Sequence, residues 1–172
     1  MTGSPLRSAI LGFVERYPGV HVREVERQLG LSSKLAAYHV EALRDEGRID
    51  VLRERGYTRL VARATARRLS QAEVAFICLM RRPPALHLVL LLLQEPELPQ
   101  GELARRLRLA KASASYHLAA LGEAGVVRGR SEGRQRLYRL SDPAWARRTL
   151  ARFEPVPGDL DAFSAVWDDL LR

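Results

Sequence analysis

Ala37-Tyr38-His39-Val40-Glu41-Ala42-Leu43 recurs as Ser115-Tyr116-His117-Leu118-Ala119-Ala120-Leu121, 78 positions further along a chain of 172 residues. The same offset carries Ile10 to Leu88, Phe13 to Leu91, Val14 to Leu92, Val25 to Leu103, Leu29 to Leu107, Leu31 to Leu109 and Gly47 to Gly125. A spacing held without insertion over residues 10–49 marks two copies of one helical unit. That unit is too long for a solenoid repeat, so two tandem domains are expected.

Working outward in the first copy, Pro5 stands near the start of a helix whose face carries Leu6, Ile10, Phe13, Val14 and Tyr17. Pro18-Gly19 ends it. Val22, Val25 and Leu29 give a short second helix, stopped by Gly30. Ser32 or Ser33 caps a third helix running to about Glu46, with Gly47 as its stop. In that helix Leu35, Tyr38 or His39, Ala42 and Leu43 are expected to form the inward stripe. Ile49–Leu52 and Tyr57–Val61 read as the strands of a hairpin turning through Arg53–Gly56. This element order is that of a winged helix-turn-helix. The second copy repeats it with helices at Pro84–Gln94, Gln100–Leu107 and Lys111–Ala124, then strands at Val126–Arg130 and Gln135–Leu140. Aligning Leu60 with Leu140 makes the second hairpin two residues longer than the first.

The predicted fold is mainly α with small β-hairpins: two tandem winged helix-turn-helix domains plus connector and C-terminal helices. The expected divisions are an N-terminal domain at 1–64, a connector helix at 65–83, a C-terminal domain at 84–142 and C-terminal helices at 143–172. Ser70-Gln71-Ala72-Glu73 is a capping-box pattern ahead of a connector, Val74–Met80, that is apolar nearly all round. Leu86–Leu93 has the same character. The two helices are expected to pack together as a hub, between the copies or across a homodimer. Leu160, Phe163, Val166, Trp167, Leu170 and Leu171 form the apolar face of an amphipathic terminal helix with an acidic outer face.

The formal net charge is +8, which favours a polyanionic partner, nucleic acid first. The charge is uneven: after Phe153 stand five acids and one base, Arg172. A single cysteine, Cys78, allows no internal disulfide and no cysteine-based metal cluster. The longest apolar run is far short of the ~20 residues of a membrane span, and a cytoplasmic location without membrane partners is expected.

A helix-turn-helix lays its second helix in the major groove of double-stranded DNA, with the N-terminal residues of that helix at the base edges. Those positions hold Ser32, Ser33, Lys34, Ala37 and Tyr38 in the first copy and Lys111, Ser113, Ser115 and Tyr116 in the second. Lys34 and Lys111, the chain's only lysines, stand within one residue of the same register. The hairpins add arginines for the phosphate backbone: Arg48, Arg53, Arg55 and Arg59, then Arg128, Arg130, Arg134, Arg136 and Arg139. Two reading heads in one chain are expected to span successive groove segments, about 34 Å apart per helical turn.

Tyr-His-x-x-x-Leu-x-x-x-Gly followed by a basic hairpin resembles the winged helix-turn-helix transcriptional regulators of the ArsR/MarR superfamily. The resemblance covers residues 5–61 and 84–140. It implies that Lys34, Tyr38, His39, Lys111, Ser115, Tyr116 and His117 lie on the DNA-facing helices. It also implies dimerisation, expected here through the connector and the first helix of the second domain. Many relatives sense metal through cysteine pairs; neither recognition helix here has a cysteine, so that role does not carry over. His21 and His87 lack partners at ligand spacing. No phosphate-cradling glycine loop, nucleophile elbow or His-Glu-x-x-His motif occurs, so no enzyme, cofactor or metal site is expected. No effector ligand is indicated. The alternative is a non-enzymatic tandem winged-helix scaffold of a chromosome or transcription complex, since the fold also serves protein contacts.

Overall fold

A computed structural model describes residues 4–54 and 56–157; Arg55 and the expected terminal helix beyond residue 157 lie outside the described residues. The chain forms two compact units, Met1–Val74 and Ala75–Arg172.

In the first unit α1 (Pro5–Arg16) starts on proline and buries Ile10, Leu11 and Val14. α2 (Val22–Leu29) is capped by His21, whose Nδ1 accepts from the Arg23 N–H at 3.1 Å. Gly30 then takes φ +63°, and α3 (Ser33–Asp45) begins under Ser32, whose hydroxyl accepts from the Leu35 N–H at 3.3 Å. α3 closes through Gly47 at φ +66°, with the Arg48 N–H donating to Leu43. β1 (Ile49–Glu54) and β2 (Tyr57–Ala62) pair antiparallel, and Leu60 bridges back to Val20. A short α4 (Arg63–Ala66) follows.

α5 (Gln71–Met80) opens on the expected capping box: the Ser70 N–H donates to Glu73 at 2.8 Å and the Glu73 N–H donates to Ser70 at 3.2 Å. The division between units falls inside this helix. The second unit continues with α6 (Pro83–Gln94), β3 (Leu98–Pro99), α7 (Gln100–Arg106), α8 (Lys111–Glu123), β4 (Val127–Glu132), β5 (Gln135–Leu140) and α9 (Pro143–Leu150). Its sheet has the order β3-β5-β4. Every helix and hairpin strand of the first copy starts 78 residues before its counterpart: Pro5 and Pro83, Ser33 and Lys111, Ile49 and Val127, Tyr57 and Gln135.

Three expectations are corrected. The second hairpin is not longer: both have two six-residue strands and a two-residue turn. Leu60 matches Tyr138 rather than Leu140, because each is the strand residue that meets the segment before the second helix, Val20 or Leu98. A buried face and a fixed cross-strand partner set register. The inward stripe of α3 is Ala36, His39, Val40 and Leu43, while Leu35 faces out. The two apolar helices pack together, as expected, within the second unit. Phe76, Leu79 and Met80 of α5 join Leu88, Val89, Leu91 and Leu92 of α6 in the core of the second unit, where Leu103, Leu118 and Leu140 cover them. Finally, the turn that needs Gly30 in the first copy is made by Arg108 at φ +50° in the second, which costs about 1–2 kcal/mol of backbone strain. Among the described residues no single helix is long and apolar enough to cross a membrane.

Burial lowers the pKa of His21, His87 and His117 below the ordinary 6.5; Arg59 and Arg23 add to this at His21, and Arg82 at His117. Below that value the unfolded chain binds protons that the folded chain refuses. Their contribution to stability is thus present above pH ~6.5 and lost as pH falls through and below it. Thermal melts are expected to decline from about pH 6.5 downward, before the carboxylates protonate. His21→Asn keeps a cap acceptor without titrating and should reduce the decline. Melting temperatures that stay level from pH 7.5 to 5 would contradict this account.

Candidate nucleic-acid interface

In the second unit, α8 starts at the mouth of an open cleft of about 610 Å³. Lys111, Arg134 and Arg136 line it, with Gln100, Glu102 and Arg105. Glu102 accepts from Arg105 at 2.9 Å and from Arg106 at 2.7 Å, and these guanidiniums hold its carboxyl at about 2. Those charges largely cancel locally. Lys111, Arg134 and Arg136 have no carboxylate partner among the described residues, so the cleft keeps a positive surplus. Arg136 is held against Tyr138, its guanidinium 5.6 Å from the ring centroid. Gly129 opposite makes the room: a Cβ there would lie 2.8 Å from Arg136 Nε.

Along α8, Tyr116 is exposed and meets His117 edge-on at 5.1 Å. Ser115 is exposed and its hydroxyl accepts from Gln100 at 2.9 Å, while Ser113 is half-buried. His117 is half-buried, and its Nδ1 has no hydrogen-bond partner among the described residues. Arg130 was expected on phosphate. Instead it donates to Glu97 at 2.7 and 2.9 Å and to Glu132 at 3.1 Å, which pushes its pKa up and that of Glu97 down. These contacts tie β4 to the segment before β3, and the Arg130 side chain stays half exposed.

The first unit holds a different set. Ser32 is committed as the α3 cap, and the Ser33 hydroxyl donates to Glu26 at 3.0 Å, tying α3 to α2. Lys34 and Arg53 are exposed and have no carboxylate partner among the described residues; Tyr38 is 64% exposed. Two of the residues expected at the interface are buried. His39 is 8% exposed and packs inward, because its position falls on the Ala36-Val40-Leu43 face. Arg59 is 5% exposed, donates to the Gly19 carbonyl at 3.3 Å and lies 5.3 Å from the Tyr57 ring. It supports the turn before α2 instead of reaching outward.

Sequence reasoning placed Leu35 in the inward stripe, whereas it is 40% exposed on α3, and did not single out Gln100, which links α7 to Ser115. Counting back from Leu43 by helical steps reaches Val40 or His39 and then Ala36. A further step of four from His39 reaches Leu35 as well, so the spacing admits both residues and the fold takes Ala36.

Residues 4–72 match an N-terminal HTH domain, and residues 85–128 match the bacterial regulatory protein, arsR family. Reduced HlyU from Vibrio cholerae N16961 is similar at 31% identity, with a TM-score of 0.43, over 46% of this chain and 83% of that one. No curated protein matches the chain.

Proposed function

We propose that this chain, which carries two helix-turn-helix domains in tandem, the second of the arsR type of DNA-binding regulator, is a sequence-specific transcriptional regulator that grips double-stranded DNA. The recognition helices enter major grooves and the hairpins follow the phosphate backbone. The observation that carries this reading is the cleft of the second unit, which Lys111, Arg134 and Arg136 line with no carboxylate paired to them among the described residues. A phosphate backbone is the polyanion whose charges fit such a cleft beside an exposed helix N-terminal turn. Lys111 and Tyr116 stand at the base edges; Arg134 and Arg136 stand on the backbone.

Selection of bound sites from a random duplex library tests this. The chain is expected to enrich a defined motif, and Lys111→Ala or Tyr116→Ala should alter base preference within it by about 1–3 kcal/mol at the affected positions. Retention of no duplex at low salt would refute the reading and favour the protein-scaffold alternative.

A further inference from the structure

The two reading heads share a backbone plan but not a surface. Among the described residues the exposed large apolar side chains are Leu35, Tyr38, Leu52, Tyr57 and Tyr116, all but the last in the first unit. At the corresponding positions 78 residues on, Leu35 becomes Ser113, Leu52 becomes Arg130 and Tyr57 becomes Gln135. The hydroxyls at the start of α3 are also occupied, Ser32 as the cap and Ser33 on Glu26. Beyond Ser33, α3 leaves exposed in its first turns Lys34, Leu35, Ala37 and Tyr38.

We propose that the first head reads thymine through its 5-methyl group, with Leu35 and Tyr38 as the contacting side chains, so that the two heads of one chain prefer different base sequences. The proposal rests on the DNA-binding reading above. The major-groove edges of the bases are donors and acceptors, except for the methyl of thymine. A leucine set against any other edge strips water from polar groups and offers nothing in return. Against a methyl it removes apolar surface from water on both sides. Lys34 and Arg53, both exposed and without a carboxylate partner among the described residues, supply the charge that keeps this apolar face on a polyanion. The second head keeps a tyrosine, Tyr116, where the first has Tyr38, but carries the half-buried Ser113 in place of Leu35, so the leucine is what sets the first head apart.

The test uses the full chain and the duplex that it selects. Each thymine is replaced singly by deoxyuridine, which deletes the methyl and keeps every base-pair hydrogen bond. Affinity is expected to fall about fourfold at one or two positions. Those same positions should become indifferent to the replacement in Leu35→Ala, with sensitivity elsewhere unchanged. Leu35 is exposed, so this variant should melt like the parent, which a thermal scan checks. Equal affinity for thymine and uracil duplexes overturns the proposal, as does undiminished sensitivity in Leu35→Ala. A footprint confined to the second head, sensitive to Lys111→Ala alone, also overturns it and makes the Leu35 face a protein-contacting surface. Failure to bind any duplex is a separate result, because it removes the DNA reading itself.

Discussion

Replacing Arg134 and Arg136 together by alanine is expected to weaken binding to every duplex alike, on the order of tenfold per charge at low salt, and to flatten the salt dependence by about two units of slope. Both side chains are exposed at the hairpin and line the same cleft as Lys111. Phosphates are uniform along DNA, so a lost phosphate contact costs affinity without changing the preferred sequence. Arg130→Ala makes the internal control. Its guanidinium is engaged by Glu97 and Glu132, so its loss should leave the salt slope nearly unchanged. A titration of affinity against salt for the three proteins decides the matter. An equal flattening by Arg130→Ala would show that the ion pair opens on binding, and an unchanged slope in the double variant would remove the cleft from the interface.

Phe76→Ala is expected to destabilise the second unit by about 3–5 kcal/mol. Phe76 has no exposed surface, and its ring meets Trp145 of α9 edge-on at 5.1 Å. Total domain stability is typically about 5–15 kcal/mol, so this is a large share of what holds the unit folded. Urea denaturation followed by tryptophan fluorescence reads the change, since Trp145 is the direct neighbour. A loss below about 1 kcal/mol would mean that α5 is a dispensable link rather than part of the core.

Much of the fold was legible because its signals are local. Proline at the start of α1, the Ser70–Glu73 capping box and glycine after α3 and α8 each act through neighbouring backbone groups. The repeat then multiplied those signals by supplying three helices and a hairpin twice. The site was less legible. Leu35 and Ala36 are one residue apart, and a rotation of about 100° decides which one meets the core. Size favoured the leucine, yet the space between α3 and its neighbours takes the alanine. Arg59 and Arg136 are both hairpin arginines in sequence. Arg59 meets the Gly19 carbonyl from 40 residues away, and Arg136 lies over Tyr138 and remains exposed.

From the order of its residues alone, this protein was bound to build two copies of one helix-turn-helix plan, because caps, breakers and periodic apolar residues act over a few positions. Tertiary structure alone decided which cations stay available to a partner. Glu97 reaches Arg130 across 33 residues, whereas Lys111, Arg134 and Arg136 meet no such carboxylate among the described residues. A charge is neutralised by whatever the fold brings within a few ångströms, and chain distance does not encode that.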